Sequence, residues 1–309
     1  MNPPIILGID HGYAAMKTAH CCFPTGLVEY EHEPYTMKNV LEYDGRYYVV
    51  GSGRQPLQKD KTQSEDYYLL TLAAIAQELE YRQAEPNAEV ILAAGLPLTS
   101  FGRDKDAFCK YLLRDKTHVS FRYAGKSYSI TIRDVRLFPQ GYAAVLTQRE
   151  LLEEPSVIVA DIGGWTVDLM RIDNRLPNAA TCRSLELGMI RCLDTISEQI
   201  RRSRGISMTN AQIESALRGE VTNLDAGARE IIQLEAEKYV SQLLSAIQEC
   251  GLDYRAMPMI LLGGGASLFK RHVPPASTPC RLFLLDDVSL NAKGFERLCG
   301  QMSGRDGNG

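Results

Sequence analysis

The chain has 309 residues, with 34 lysines and arginines against 38 aspartates and glutamates, and a formal charge of −4. A hydrophobic fraction of 45% with 23% charged residues is typical of a folded globular protein and excludes a largely disordered chain. The near-balanced charge also argues against a protein that holds duplex nucleic acid by bulk electrostatics. We therefore expect two domains and no direct contact with nucleic acid.

Apolar segments and cysteines indicate the compartment. No apolar run reaches the ~18–20 residues of a membrane span, and no basic residue precedes the first apolar run as it would in a secretory signal. The eight cysteines form no C-x-x-C pair, and the five histidines complete no zinc pattern. These features predict a cytoplasmic protein with reduced thiols and no membrane partner.

The predicted elements alternate between strands and helices along the chain. Up to residue 153, strands are predicted at 5–10, 14–22, 89–94, 118–123 and 127–133, and helices at 65–82, 103–114 and 141–151. A small β region with a turn at Asp44-Gly45 is predicted at 43–50. Beyond residue 153, strands are predicted at 157–161, 166–172, 258–262 and 282–285, and helices at 188–204, 210–218, 225–250 and 291–299. This alternation is typical of an α/β fold, and the polar residues 303–309 are expected to form a flexible tail.

The two halves of the chain open with the same pattern. An apolar run ends in an Asp-x-Gly turn at Asp10, and a second apolar run ends in an Asp-x-Gly turn at Asp161. At the offset that aligns these aspartates, Lys17 falls on Asp168. The repeat predicts two related domains that face each other. His11, inside the first turn, is expected to face solvent.

The chemistry of such a turn suits a phosphate group and its metal ion. Glycine lets the backbone turn sharply and bring its N–H groups close to an anion. An aspartate at a strand end can hold hydrated Mg²⁺, and a lysine supplies a point charge for phosphates. A hairpin would bring Lys17 close to the turn at Asp10. Either turn alone could be an ordinary hairpin, but the matched pair favours a triphosphate gripped from both sides.

A third segment supports the pair. A buried strand ends in Gly263-Gly264-Gly265, where the absence of a Cβ would let the backbone lie against a base or ribose. A flexible strand-to-helix turn is the alternative. The G-x-G-x-x-G dinucleotide fingerprint is absent here, and the chain has no G-x-x-x-x-G-K-[ST] loop.

Together these motifs resemble the phosphate-1, phosphate-2 and adenosine motifs of the superfamily of actins, heat-shock chaperones and sugar kinases. Within it, Gly95-Leu96-Pro97-Leu98 and Asn291-Ala292-Lys293-Gly294-Phe295 are similar to the ParM/StbA-type plasmid-partition ATPases. The resemblance implies an actin-like ATPase fold with two related RNase H-like domains around a nucleotide cleft. Domain I would comprise residues 1–153 and 291–302, with a tip insertion at about 31–64. Domain II would comprise residues 154–290, with an insertion at about 203–222.

The resemblance also implies roles for individual residues. Asp10 and Asp161 would be catalytic and flank Mg²⁺, bound through water. Gln140 stands where the family carries its water-orienting residue, the alternative being a polar residue at a helix start. The ring of Trp165 either borders the nucleotide or packs into a domain core. Residues implied to line the nucleotide are Gly12, Tyr13, Lys17, Gly163, Gly164, Trp165, Thr166, Gly263, Gly264, Gly265 and Ser267.

The function implied is that of an ATPase that polymerises. ATP, or GTP, with Mg²⁺ would favour assembly, and hydrolysis would destabilise a filament made of copies of the same chain. A DNA-bound adaptor of the ParR type would link the filament to plasmid DNA. A small-molecule kinase of the sugar-kinase type and a non-polymerising actin-like scaffold are the alternatives, because fold alone does not fix function.

Overall fold

A computed structural model describes residues 3–35, 38–53, 60–114, 117–220 and 223–306, without the side chains of residues 304–306. The chain divides into two compact units, one formed by Met1–Gln148 with Ser289–Gly309 and the other by Arg149–Val288. Parts of the two expected insertions, residues 36–37, 54–59 and 221–222, lie outside the described residues, as do residues 307–309. Within the described residues no helix combines the length and apolar character that a membrane crossing requires.

Strands and helices alternate along both units. The strands are β1 (Ile5–His11), β2 (Ala15–Thr18), β3 (Cys22–Pro24), β4 (Leu27–Tyr30), β5 (Val40–Tyr43), β6 (Arg46–Val50), β7 (Asn87–Leu96), β8 (His118–Tyr123), β9 (Lys126–Pro139), β10 (Ser156–Ile162), β11 (Val167–Asp173), β12 (Leu176–Leu185), β13 (Met259–Leu262) and β14 (Leu282–Leu284). The helices are α1 (Asp66–Tyr81), α2 (Leu98–Leu113), α3 (Tyr142–Val145), α4 (Met189–Arg204), α5 (Asn210–Leu217), α6 (Ala226–Glu249), α7 (Ala266–His272) and α8 (Leu290–Asp306). Short 3-10 turns lie at Arg149–Leu152 and Pro275–Ser277.

The first unit is built on a nine-stranded sheet in the order β3-β2-β1-β7-β9-β8-β5-β6-β4. Its centre is parallel, because β1 pairs with β7 and β7 with β9 in that sense. Helix α1 is buried around most of its circumference, including the apolar residues at helical spacing Leu69, Leu72, Ala73, Ala76 and Leu79. A helix that is apolar nearly all round belongs in a core, and here that core forms against the central strands.

Helix α8 packs on β1 and β7 at two glycines. A Cβ at Gly8 would lie 2.0 Å from the Ala292 carbonyl oxygen, and a Cβ at Gly95 would lie 2.1 Å from the Phe295 ring. Gly95 and Phe295 belong to the two short motifs that resemble plasmid-partition ATPases. These motifs are therefore packing partners, and the two glycines permit the close approach of the helix to the sheet.

The second unit is built on a five-stranded sheet in the order β12-β11-β10-β13-β14. Helices α4, α5, α6 and α7 contribute its core. Its central pairing repeats that of the first unit: β1 pairs Asp10 with Lys17 of β2, and β10 pairs Asp161 with Asp168 of β11. This is the register that the internal repeat in the sequence predicts.

Several predicted elements differ from the structure, among them α2, which begins at Leu98 rather than at 103, and β9, which continues to Pro139 rather than ending at 133. The single strand expected over 14–22 is two strands, because the Thr18 hydroxyl accepts a 2.8 Å hydrogen bond from the Cys21 amide and turns the chain between them. The helix expected over 141–151 is reduced to α3 and a 3-10 turn. The tail expected to be flexible from residue 303 is helical to Asp306, since α8 continues and Arg136 donates a 3.0 Å hydrogen bond to the Ser303 hydroxyl.

Candidate functional site

The first phosphate-type turn follows β1, where three predicted residues meet. Asp10 is 3% exposed, and its Oδ2 lies 3.6 Å from the Lys17 Nζ. Its Oδ1 accepts a 2.7 Å hydrogen bond from the Gln140 Nε2. Strand pairing explains the lysine, which lies directly opposite the aspartate on β2. The contact with Gln140, 130 positions further along the chain, results from the tertiary packing of the unit.

Gln140 is held by its neighbours at the end of β9. The backbone amide of Gln140 donates a 2.9 Å hydrogen bond to the carbonyl of Leu96 at the end of β7. The next residue, Gly141, has φ +72°, a conformation open to glycine. Its amide donates a 2.8 Å hydrogen bond to the Asn291 side chain on α8. Asn291 is thus a supporting residue that sequence reasoning placed only within a family motif.

The turn itself leaves no room for a side chain at Gly12, where a Cβ would lie 2.5 Å from the Ala15 carbonyl oxygen. The buried Thr25 hydroxyl donates a 2.7 Å hydrogen bond to the Gly12 carbonyl, and its amide bonds to Ala14. Thr25 was not predicted, and nothing in its surrounding sequence marks it. The half-buried Tyr13 ring lies 5.1 Å from the Nζ of Lys61.

The expectation that His11 faces solvent is wrong. The side chain is fully buried, and its Nε2 lies 2.9 Å from the Thr71 Oγ1. Burial, followed by the charge of Lys61, lowers the pKa of His11 to about 3, so the ring is neutral at physiological pH. The alternation of β1 contained the signal, because His11 continues the buried series Leu7 and Ile9.

The second turn follows β10 in the other unit. Asp161 is the penultimate residue of β10 and is 8% exposed. The Gly163 amide donates a 2.9 Å hydrogen bond to the Thr166 carbonyl, which closes the turn. The carbonyls of Gly163 and Gly164 accept hydrogen bonds from the first amides of α4. The Thr166 hydroxyl lies 3.2 Å from the Asp168 Oδ2. This turn is therefore rigidly joined to the start of a helix.

Trp165 lies in this turn with a half-buried side chain. It does not belong to the described hydrophobic core of its unit. Its carbonyl accepts a 2.8 Å hydrogen bond from the Gly188 amide, and a Cβ at Gly188 would lie 2.3 Å from the Trp165 carbonyl carbon. The backbone of Trp165 is thus fixed, while the residue as a whole remains partly accessible.

The glycine-rich segment packs directly on the second turn. Gly263 has φ +87°, and a Cβ there would lie 2.5 Å from the Asp161 Oδ1. The Gly265 amide donates a 3.1 Å hydrogen bond to the Ile162 carbonyl. Gly264 has open space around its Cβ position, and both it and Ser267 are exposed. Two of the glycines therefore support the aspartate, and Gly264 leaves an open backbone surface.

The residues fit the Mg²⁺ that the sequence resemblance implies. Among the described residues no group of three or more His, Cys, Asp or Glu side chains could hold a metal ion. Mg²⁺ does not need such a group, because it keeps several waters and binds through one or two carboxylates and substrate phosphates. Asp10 and Asp161, each at a strand end beside a glycine turn, supply carboxylates of this kind.

Comparisons with known proteins agree with this geometry. Residues 8–142 match the family model of actin-like proteins, N-terminal domain, and residues 159–274 match the model of archaeal actin homologue MreB-like, C-terminal. The search of curated proteins found no match. Two linked α/β units, each opening on an acidic hairpin, thus define an actin-like ATPase fold. The chain thus contains an actin-like N-terminal domain and an MreB-like C-terminal domain, each matched by its own family model.

Solved structures give the same fold at low identity. An archaeal actin homologue has 21% identity and a TM-score of 0.79, with 96% of this chain and 99% of that chain covered, and it has also been crystallised with ADP. An Alp filament structure has 16% identity and a TM-score of 0.70, covering 98% and 100%. ParM of Bacillus thuringiensis with ATP has 14% identity and a TM-score of 0.70, covering 97% and 100%.

Proposed function

We propose that this chain is an ATP-dependent, filament-forming protein whose filaments segregate plasmid DNA. The observation that carries the proposal is the contact of Asp10 with both Lys17 and Gln140 in the first unit. A carboxylate, a cation and an amide held together beside a glycine turn are the groups that phosphoryl transfer to water uses. Similar structures that contain ADP or ATP support the nucleotide.

In this proposal the first unit binds phosphates and orients water. Gly12 allows the backbone amides of the turn to approach an anion, and Lys17 supplies a positive charge. Gln140 holds the attacking water through its amide, which can both donate and accept a hydrogen bond. When bound, Mg²⁺ would neutralise charge that develops on the phosphate oxygens.

The second unit contributes a second acidic turn and a glycine-rich surface. Asp161 would hold the metal ion through water, and Gly163, Gly164 and Thr166 would line the phosphates. The open backbone around Gly264 supports a role for the 263–265 segment beside the adenosine. The accessible part of Trp165 supports a position at the nucleotide over one in the core.

Assembly and partition are the finer parts of the proposal. Head-to-tail contacts between copies that do not close into a ring produce a filament, and an Alp filament has a similar fold. Hydrolysis would weaken the contacts and so limit filament lifetime. The net charge of −4 supports an indirect link to DNA through a DNA-bound adaptor of the ParR type.

Phosphate release measured without any acceptor, together with sedimentation in Mg²⁺ and ATP, tests the proposal. The wild-type chain should release phosphate and sediment. Gln140→Ala should slow phosphate release by about 100-fold while nucleotide still binds, which should give longer-lived filaments. Gln301→Ala, an exposed glutamine on α8, is the matched control and should behave as wild type.

Three results would contradict the proposal. Phosphate transfer only when a small-molecule hydroxyl is added would indicate a kinase. Nucleotide binding without sedimentation would indicate a scaffold that does not polymerise. Equal phosphate release by Gln140→Ala and by wild type would remove the glutamine from the reaction.

A further inference from the structure

A buried lysine contacts the first phosphate-type turn from outside the sequence motif. Lys61 lies between β6 and α1 and is 9% exposed, although lysine is rarely buried without a partner. Its ammonium donates a hydrogen bond to the His11 carbonyl oxygen. It also lies 5.1 Å and 5.4 Å from the ring centroids of Tyr13 and Tyr67, within the range of cation–π contacts.

The side chain of His11 is also held in place. The Thr71 hydroxyl donates a 2.6 Å hydrogen bond to the Tyr67 carbonyl, so its oxygen accepts from the Nε2–H of His11. The Phe108 ring meets the imidazole edge-on at a centroid distance of 5.2 Å. His11 is therefore held through its ring from α1 and α2, and through its carbonyl from Lys61.

His11 is the middle residue of the turn that joins Asp10 to Gly12. A hydrogen bond to its carbonyl sets the plane of the peptide between His11 and Gly12, and that plane includes the Gly12 amide. A buried carbonyl that loses its donor must find another or rotate, because an unsatisfied buried acceptor is costly. Loss of the Lys61 ammonium would therefore disturb the amide that the turn offers to an anion.

We infer that Lys61 is a positioning residue for the first phosphate loop, acting through the His11 carbonyl and without contact with the nucleotide. The inference rests on the proposed function, since it assigns Lys61 to the same nucleotide site. It also links this loop to the segment before α1, which the sequence assigns to the tip insertion. A conformational change in that segment would therefore alter the loop through the Lys61 side chain.

Lys61→Met tests the inference, with Lys61→Arg as the conservative variant and Lys105→Met as the matched control on the exposed surface of α2. The assays are titration with a fluorescent ATP analogue, steady-state ATP hydrolysis, and thermal unfolding with and without nucleotide. Loss of one hydrogen bond from a charged donor predicts that Lys61→Met raises Kd and KM for ATP about tenfold, with kcat changed less than about threefold. Lys61→Arg should recover most of the affinity, and Lys105→Met should match wild type.

A purely structural role gives a different result. Lys61→Met would then melt at a lower temperature while folded protein bound ATP with wild-type Kd, and that result overturns the inference. If Lys61→Met does not fold, Thr71→Val removes the other hold on His11 with little change of shape. A raised Kd in this variant supports the inference, and an unchanged Kd overturns it. If wild type itself fails to bind the analogue, the proposed function fails, which is distinct from a variant that binds as well as wild type.

Discussion

Glu78 on α1 offers a measurable test of the polar network beneath the first sheet. The side chain is fully buried. It accepts hydrogen bonds from the Thr18 hydroxyl, from the His20 ring at 2.6 Å and from the Arg82 Nε at 2.7 Å. Arg82 also bonds to Glu296 on α8 at 2.8 Å and 3.0 Å. The Glu78 carboxylate thus connects the end of β2 with the end of α1, and Arg82 extends this network to α8 within the same unit.

Glu78→Gln keeps the shape of the side chain and removes its charge. Breaking a buried ion pair costs ~3–5 kcal/mol when the partner is left uncompensated. Arg82 keeps Glu296 and is 23% exposed, so the penalty should be smaller. A hydrogen bond to a charged group contributes ~1.5–3 kcal/mol, and one such bond is lost. We expect the variant to be less stable by about 2 kcal/mol, which lowers the melting temperature of a unit of this size by about 4–8 °C.

The pH dependence of this difference can be derived from the same contacts. Burial alone would raise the pKa of Glu78, but hydrogen bonds from Thr18, His20 and Arg82, with the charge of Arg82, outweigh it and leave the pKa below its ordinary value of 4.5. A carboxyl whose pKa is lowered on folding stabilises the protein above its unfolded pKa and loses that contribution as pH falls through the folded pKa. The difference between wild type and Glu78→Gln should therefore be full near pH 7 and narrow below about pH 4.5.

Thermal and urea unfolding followed by circular dichroism at several pH values provides the measurement. Glu80→Gln is the matched control, because Glu80 lies two residues further along α1 and is exposed. The control should unfold with wild type at every pH. Equal stability of Glu78→Gln and wild type at neutral pH would refute the reasoning. A difference that persists unchanged in acid would show that the loss comes from shape or packing.

Two further predictions concern backbone strain and thiol reactivity. Gly263→Ala should destabilise the second unit by ~2–4 kcal/mol in urea unfolding, because an alanine at φ +87° is strained and its Cβ would lie 2.5 Å from a carboxylate oxygen of Asp161. Gly264→Ala is the control, because its Cβ would meet open space. Equal unfolding of the two variants would exclude this explanation. Thiol labelling of the native protein at pH 8 should be fast at the exposed Cys280 and should fail at Cys192, where burial raises the pKa to about 12. Rapid labelling of Cys192 would show that its surroundings open.

Local patterns predicted the elements whose cause is local. Helix α1 follows the prediction closely, because its apolar residues recur at helical spacing and the chain around it is polar. The helix predicted at 210–218 is α5, and Thr209 caps it with a complete capping box, in agreement with the Ser/Thr preference at helix starts. The contact of Asp10 with Lys17 follows from hairpin register, which the short turn between β1 and β2 determines.

Features set by distant contacts could not be predicted in the same way. Strand β12 is an exposed edge strand with a register shift opposite it, so its sequence lacks the alternation that marks a half-buried strand. The contact of Lys61 with His11 joins positions 50 residues apart. The hydrogen bond from the Gly141 amide, next to Gln140, to the Asn291 side chain depends on a helix that returns from a distant part of the chain. Such contacts have no local signature in one sequence.

The repeated hairpins share a register but differ in charge, and this difference suggests different tasks. Opposite the strand-end aspartate, β2 carries Lys17 and β11 carries Asp168. The first hairpin therefore pairs a carboxylate with an ammonium 3.6 Å away, whereas the second presents two carboxylates in the same positions. A pair of opposite charges can offer its cation to a phosphate, and two carboxylates favour a hydrated divalent cation. In the proposed function, we therefore expect the first hairpin to serve mainly the phosphates and the second mainly the metal ion.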